Sequence, residues 1–298
     1  MAQDGVPHVG RTGFEASRLV FGCGAALRRR RRDKLLHAAF DAGVNVFDVG
    51  TSDYYVNAER NLAAFVRQKR DRIFLISKGL ALPRVGPHAS ITSEQAKAGA
   101  KQWLQSLEDS LQQLGVEHVD AYYLMAQNNP HVVGHDAFYN AFLKAKQAGK
   151  VSYFGLSTHE KAQQVLETAV ATGWYDLAQI AITPAGWYSW ADKTIVPGSP
   201  VMTALQPFLA QAREAGMGLI GMKAARYLAG RKWLGWGNPA AFDTHYAPEF
   251  VQSGLSPFQR SYAFVLAHGL DAVNADMQAY AHLKENFIAA ATSHQYFV

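Results

Sequence analysis

Eight short apolar runs, each followed by an amphipathic stretch, recur along the whole chain, and this alternation limits the possible folds more than any other feature. The runs are SRLVFG (17–22), VNVFD (44–48), RIFLISK (72–78), DAYYLM (120–125), VSYFGLS (151–157), DLAQIAI (176–182), GLIGMK (218–223) and LDAVNAD (270–276). Each is brief and nearly all apolar, as parallel strands covered on both faces must be. Between them lie helix-patterned segments such as RDKLLHAAFDAG, SEQAKAGAKQWLQSLEDSLQQLG and HEKAQQVLETAVATG, several of which stop at glycine. Thr92 or Ser93, in TSEQ, is placed to cap the longest of them.

Strand and helix alternating eight times predict an α/β fold, a (β/α)8 TIM barrel that occupies residues 1–298 as one domain. A doubly wound sheet would want a glycine-rich turn after its first strand, whereas FGCGAAL offers only the pair Gly22 and Gly24. HVGRTGFEAS reads as a small N-terminal β-hairpin that turns at Thr12-Gly13 before the first barrel strand. Two long loops, 183–200 and 224–255, follow the sixth and seventh strands, and loops of that length in a compact domain are usually functional.

Composition removes several function classes. With 49% hydrophobic and 18% charged residues the chain has an ordinary globular balance. It contains no apolar run near the roughly 18 residues of a spanning helix, so a membrane role is not expected. MAQDGVPHVGRTG has neither the basic start nor the apolar stretch of a signal peptide, and the expected location is cytoplasmic. The single cysteine, Cys23, excludes an internal disulfide and a cysteine-held cluster, and no metal site is expected. The net charge of +5 comes from Arg28–Arg32; without them 24 basic residues face 24 acidic ones. A nucleic-acid binder would spread its basic residues over a face, so the expected partner is a small molecule. Oligomeric state has no signature here.

In a barrel the chemistry collects at the C-terminal ends of the strands. There the second strand ends in Asp48, Tyr54 and Tyr55 follow, and the third strand ends in Lys78. An ammonium beside a phenol favours phenolate and lowers a pKa that is otherwise about 10, while the aspartate holds the lysine charged. A buried Asp–Lys pair beside loop-packing tyrosines is the plainer reading of the same residues, and spacing leaves both open.

TGFEASRLVFGCG, AFDAGVNVFDVGTSDYYVNAER, LISKG, VDAYYLM, GKVSYFGLSTH and LKENFIAA, in that order, resemble the aldo-keto reductase superfamily along nearly the whole chain. GLSTHEKAQQVLETA and AREAGMGLIGMKAARYLAG are most similar to a divergent bacterial branch known only as predicted oxidoreductases. The resemblance implies the barrel already inferred and NAD(P)H-dependent reduction of a carbonyl. It assigns the catalytic aspartate to Asp48 and the lysine to Lys78. The tyrosine is Tyr55 if two residues are inserted within VGTS, with Tyr54 in reserve; the family's usual spacing would fall on Asp53. The fourth residue, a histidine that donates a hydrogen bond to the substrate carbonyl, falls on Met125. A thioether cannot donate, and losing one such donor costs about 10²–10³ in rate. His159, just after the fifth strand, is the best placed substitute; His131 and His135 read as loop or helix-capping residues.

On the cofactor side, the resemblance places Ser157, Thr158 (for the family's asparagine) and Gln179 on the nicotinamide amide. Met222 stands where a stacking tyrosine is usual, and Gly22 ends the first strand beside these positions. Lys223 and Arg226 suit a pyrophosphate or, equally, strand-end solvation. Glu285 and Asn286 match the adenine grip, while Asp276 and His282 replace the usual 2′-phosphate contacts. A carboxylate repels a 2′-phosphate and accepts from a ribose hydroxyl, so between NAD and NADP the sequence leans towards NADH.

The arginine run, on the same barrel face, reads as a solvated surface or as attraction for acidic groups. Trp187, Tyr188, Trp190, Trp233 and Trp236 offer a platform for an aromatic substrate or pack the loops onto the barrel. Because Met125, Thr158 and Met222 all depart from the family around one spot, a second function stays open. It is a repurposed barrel doing non-reductive acid/base chemistry, as a lyase or hydrolase, or sensing a cofactor.

Overall fold

The computed structural model describes residues 9–81, 85–229 and 237–295. Ten strands appear: β1 (Leu19–Gly22), β2 (Val46–Asp48), β3 (Phe74–Leu80), β4 (Val119–Met125), β5 (Val151–Thr158), β6 (Leu177–Thr183), β7 (Gly186–Ser189), β8 (Thr194–Ile195), β9 (Gly218–Met222) and β10 (Ala272–Ala275). Sequential parallel pairing runs from β1 to β6, then to β9 and β10, and β10 closes on β1. The result is the closed eight-stranded parallel barrel with flanking helices that the alternation predicts. Thr92 is the cap of the longest helix, Ser93–Leu114, in a full capping box with Gln95.

The side-chain period of two along each strand creates the layers inside the barrel. Val20, Val46, Ile76, Leu177, Ile220 and Ala272 belong to an apolar inner floor. One pleat higher on the same strands come Gly22, Asp48, Lys78, Gln179, Met222 and Asn274. The strand pattern thus turns from apolar to polar at one level, and that level is the candidate site. The opposite faces of the strands, with the helices, form the large outer core that includes Phe21, Phe47, Leu75, Tyr122 and Phe154.

The expected N-terminal hairpin is described only in part: His8 lies outside the described residues, and Glu15, beyond the turn, is a bridge residue. The chain does turn at Gly13, whose φ is +68°, but residues Gly10–Thr12 are a 3-10 turn rather than a strand. Its hydrogen bonds go to the barrel floor: Arg11 N–H donates to Gly216 O at 2.9 Å, and the Arg11 guanidinium donates to Asp176 at 2.7 Å. Val9 and Phe14 pack on the inner floor and close that end of the barrel.

The long loop after β6 is ordered as an antiparallel hairpin, β7–β8, with Ser189 opposite Thr194. Trp233 and Trp236 lie outside the described residues.

Candidate active site

Asp48 and Lys78 project from β2 and β3 into the barrel and are almost wholly buried. Lys78 Nζ donates to Asp48 Oδ1 at 2.6 Å, to Oδ2 at 2.8 Å and to Gln179 Oε1 at 2.9 Å. Gln179 Nε2 and Asn274 Nδ2 in turn donate to Asp48 Oδ2, at 3.2 and 2.6 Å. Burial pulls the Lys78 pKa down, but Asp48 and Tyr55 more than offset it, and the net direction is upward from 10.5. The ammonium therefore stays charged.

Tyr54 and Tyr55 separate sharply. They sit on one helical turn, Ser52–Tyr55, where adjacent side chains diverge by about 100°. Tyr54 is 42% exposed, whereas the Tyr55 ring packs against the outer core and lodges between two glycines. A Cβ on Gly24 would lie 2.5 Å from Tyr55 Cε1. One on Gly50 would lie 2.6 Å from Lys78 Cγ and 2.9 Å from Tyr55 Cε2. These two glycines let the phenol ring and the lysine stem approach each other. The Tyr55 hydroxyl makes no hydrogen bond to a described residue. Its pKa does not fall, contrary to the expectation from charge alone. Burial outweighs the pull of Lys78, and the direction is upward from 10.

Met125 ends β4, buried, one pleat above Tyr123 and paired in register with Leu80. His159 follows β5, and its backbone N–H and that of Glu160 both donate to Asn128 Oδ1, at 2.9 and 3.0 Å. Burial and the charges of Lys223, Lys78 and Lys193 push its imidazole down to about 3, so it is neutral. Its ring lies 6.1 Å from that of Trp190. His135 caps the helix Asp136–Gln147 through its Nδ1, as a structural histidine would.

The residues expected to hold a dinucleotide divide into two groups. Ser157 and Gln179 are register partners across β5 and β6. Ser157 Oγ accepts Ala126 N–H at 2.9 Å, which leaves its own proton to donate, and Gln179 keeps a second amide N–H. Such a donor set fits a carboxamide. Thr158 is instead turned to Asn128 and the Glu160 carbonyl. Met222 is buried under Tyr188, with Ile195 and Tyr227 beside it, so the hairpin covers the position of the usual stacking tyrosine. The residues expected to hold adenine make hydrogen bonds within the protein. Asn286 Nδ2 donates to Asp276 O at 2.9 Å, and Glu285 accepts from Ser256. Asp276 is exposed, with His282 Nδ1 3.5 Å from its carboxylate. The donors at Ser157 and Gln179 suit an amide, and Glu285 and Asn286 each hold a hydrogen bond within the protein. Of the arginine run, Arg28–Arg31 are exposed and Arg32 donates to Gln278 O at 2.9 Å, tying the run to the loop after β10.

Sequence reading missed Asn274, Asn128, Gly24, Gly50 and Lys193. Asn274 was visible as a polar residue two places beyond inward-facing Ala272; the others depend on packing between distant loops. Among the described residues five other than glycine have positive φ, namely Val56, Ala126, Lys161, Lys193 and Lys223, and all follow barrel strands or lie in the hairpin at this end. Backbone strain of this kind gathers at functional sites.

The aldo/keto reductase family model matches residues 19–187. Pyridoxal 4-dehydrogenase of Microbacterium luteolum is 25% identical over 247 residues, 71% of this chain and 68% of that protein. L-glyceraldehyde 3-phosphate reductase of Escherichia coli K12 is 30% identical over 158 residues, 49% of this chain and 42% of that protein. Two solved aldo-keto reductase chains from Pseudomonas aeruginosa superpose with TM-scores of 0.66 and 0.67 at 19% and 20% identity. The superpositions cover 98% of this chain, and 97% and 98% of theirs.

Proposed function

The chain belongs to the aldo/keto reductase family and is an oxidoreductase of that type; from that premise we propose that it reduces the carbonyl of a small aldehyde or ketone at the Asp48–Tyr55–Lys78 set. The observation that carries this reading is the buried Lys78–Asp48 pair with Tyr55 packed beside the lysine stem. NAD(P)H, when bound, would supply the hydride, and Ser157 and Gln179 are the residues that would hold its amide. The exposed Asp276 favours NADH over NADPH.

Tyr55 is the proton donor. An upward-shifted phenol remains protonated at neutral pH, which suits reduction better than oxidation of an alcohol. Lys78 stabilises the phenolate left after transfer, and Asp48 keeps Lys78 charged and fixed. Neutral His159 donates the carbonyl-orienting hydrogen bond that Met125 cannot make. Met125 contributes an apolar wall instead.

A test is to titrate the protein with NADH and NADPH by quenching of tryptophan fluorescence, then follow dinucleotide consumption with aldehydes, pyridoxal and glyceraldehyde among them. Binding followed by turnover is the expected result. A folded protein that binds neither dinucleotide would overturn it. The covered Met222 favours non-reductive acid/base chemistry at the same three residues as the second reading.

A further inference from the structure

Over the mouth of the barrel, the β7–β8 hairpin carries an aromatic and basic cluster that the proton transfer does not use. Trp190 lies in its turn, with Lys193 Nζ 3.1 Å and Lys223 Nζ 4.3 Å from its ring centroid. Lys193 also donates to the Trp190 carbonyl. Among the described residues neither lysine forms an ion pair with a carboxylate. The carboxylate acting on Lys223 is Asp48, which Lys78, Gln179 and Asn274 already occupy. Glu160 acts on Lys193 without bonding to it. Both lysines sit on left-handed backbone, with φ of +59° and +66°.

Gathering cations on one half-exposed cluster without counter-charge is unfavourable unless a ligand brings the negative charge. The effect is visible on Lys223, which burial and the charges of Lys78, Arg226 and Lys193 pull down to about 8. We propose that Lys193, Lys223 and Trp190, with His159 at their edge, form a phosphoryl-binding subsite for a small phosphorylated carbonyl substrate. Two ammonium groups match a dianion with three acceptor oxygens better than a carboxylate. The indole face covers the apolar carbons between phosphate and carbonyl. The subsite also stands close to the reacting end, since His159 feels Lys223 and Lys78 together.

The inference rests on the reductase reading for calling the ligand a substrate. The same two lysines could instead meet the pyrophosphate of a dinucleotide, so the test separates the sources. Calorimetric titration with inorganic phosphate is run on the full chain, alone and saturated with NADH or NADPH. Phosphate is expected to bind in both states. Lys193→Gln and Lys223→Gln are expected to weaken it about tenfold each, with circular dichroism unchanged. In turnover Lys193→Gln should raise KM for glyceraldehyde 3-phosphate while leaving KM for glyceraldehyde and kcat near wild type. Absence of phosphate binding, unchanged affinity in the double variant, or displacement of phosphate by dinucleotide would each overturn the subsite. Phosphate binding without any dinucleotide binding supports the subsite and removes the reductase reading alone.

Discussion

Lys78 Nζ spans both oxygens of Asp48, at 2.6 and 2.8 Å, inside the barrel and away from water. Such a pair is balanced only as a pair, because burial penalises each charge and the partner restores it. Asp48→Asn or Lys78→Met alone should cost about 3–5 kcal/mol by leaving one buried charge unmatched. The double variant should lose clearly less than the sum of the two. Urea denaturation of the four proteins measures this; additive losses would mean that the two charges are not coupled.

The two adjacent tyrosines should behave oppositely. Tyr55→Phe removes the hydroxyl of the ring packed beside the Lys78 stem and should lower kcat by about 10²–10⁴, while folding and dinucleotide affinity persist. Tyr54→Phe alters an exposed ring and should leave kcat within about twofold. Because burial holds the Tyr55 phenol above the ordinary tyrosine value of 10, reduction should keep its rate from about pH 6 to 9 and fall only beyond that. Alcohol oxidation, which needs the phenolate, should rise over the same interval. A reduction rate that drops through neutrality would contradict this placement of Tyr55.

The barrel was legible because its signal repeats: eight apolar runs with helical intervals leave few alternatives, and every one became a barrel strand. Asp48 and Lys78 were legible because strand ends are fixed by pattern. The choice between Tyr54 and Tyr55 was not, since it turns on one short helix and on ring contacts with Gly24 and Gly50, distant in sequence or featureless within it. The Tyr55 shift was misjudged for a related reason. Charge partners can be read from spacing, but the burial that outweighs them comes from packing. The N-terminal turn at Gly13 was legible, whereas the bonds that tie it to Gly216 and Asp176 leave no local trace.

His159 should act without titrating. Burial and three neighbouring lysines hold it near 3, so His159 should contribute no ionisation to kcat/KM for an uncharged carbonyl between about pH 5 and 8, and its ring protons should not shift in that range by NMR. The linkage is one-directional. Above the unfolded value of about 6.5 both states are neutral and stability is unaffected by this group. Below it the unfolded chain takes up a proton that the fold refuses, and stability falls as pH drops towards 3. His159→Ala should lower kcat by about 10²–10³, and His159→Gln, which keeps an N–H donor, should recover part of the loss. Equal activity of the alanine variant and wild type would remove His159 from carbonyl orientation.

Gly50 gives the sharpest separation of catalysis from folding. Its φ is ordinary, so alanine adds no backbone strain, but the new Cβ would stand 2.6 Å from Lys78 Cγ and 2.9 Å from Tyr55 Cε2. Neither contact is tolerable, and the lysine stem is pinned by Asp48, so the Tyr55 ring is the group that must give way. A ring displaced by about 1 Å is enough to cost roughly 10² in rate. Overpacking of this size destabilises by about 1–3 kcal/mol, which a barrel of this length should survive as a folded protein. The expected result is therefore a Gly50→Ala variant with native circular dichroism, a modestly lowered Tm and kcat reduced about a hundredfold. Tyr55→Phe/Gly50→Ala should be no slower than Tyr55→Phe alone, because the second change acts through a hydroxyl already removed. Multiplying losses in that double variant would show that Gly50 serves Lys78 rather than Tyr55.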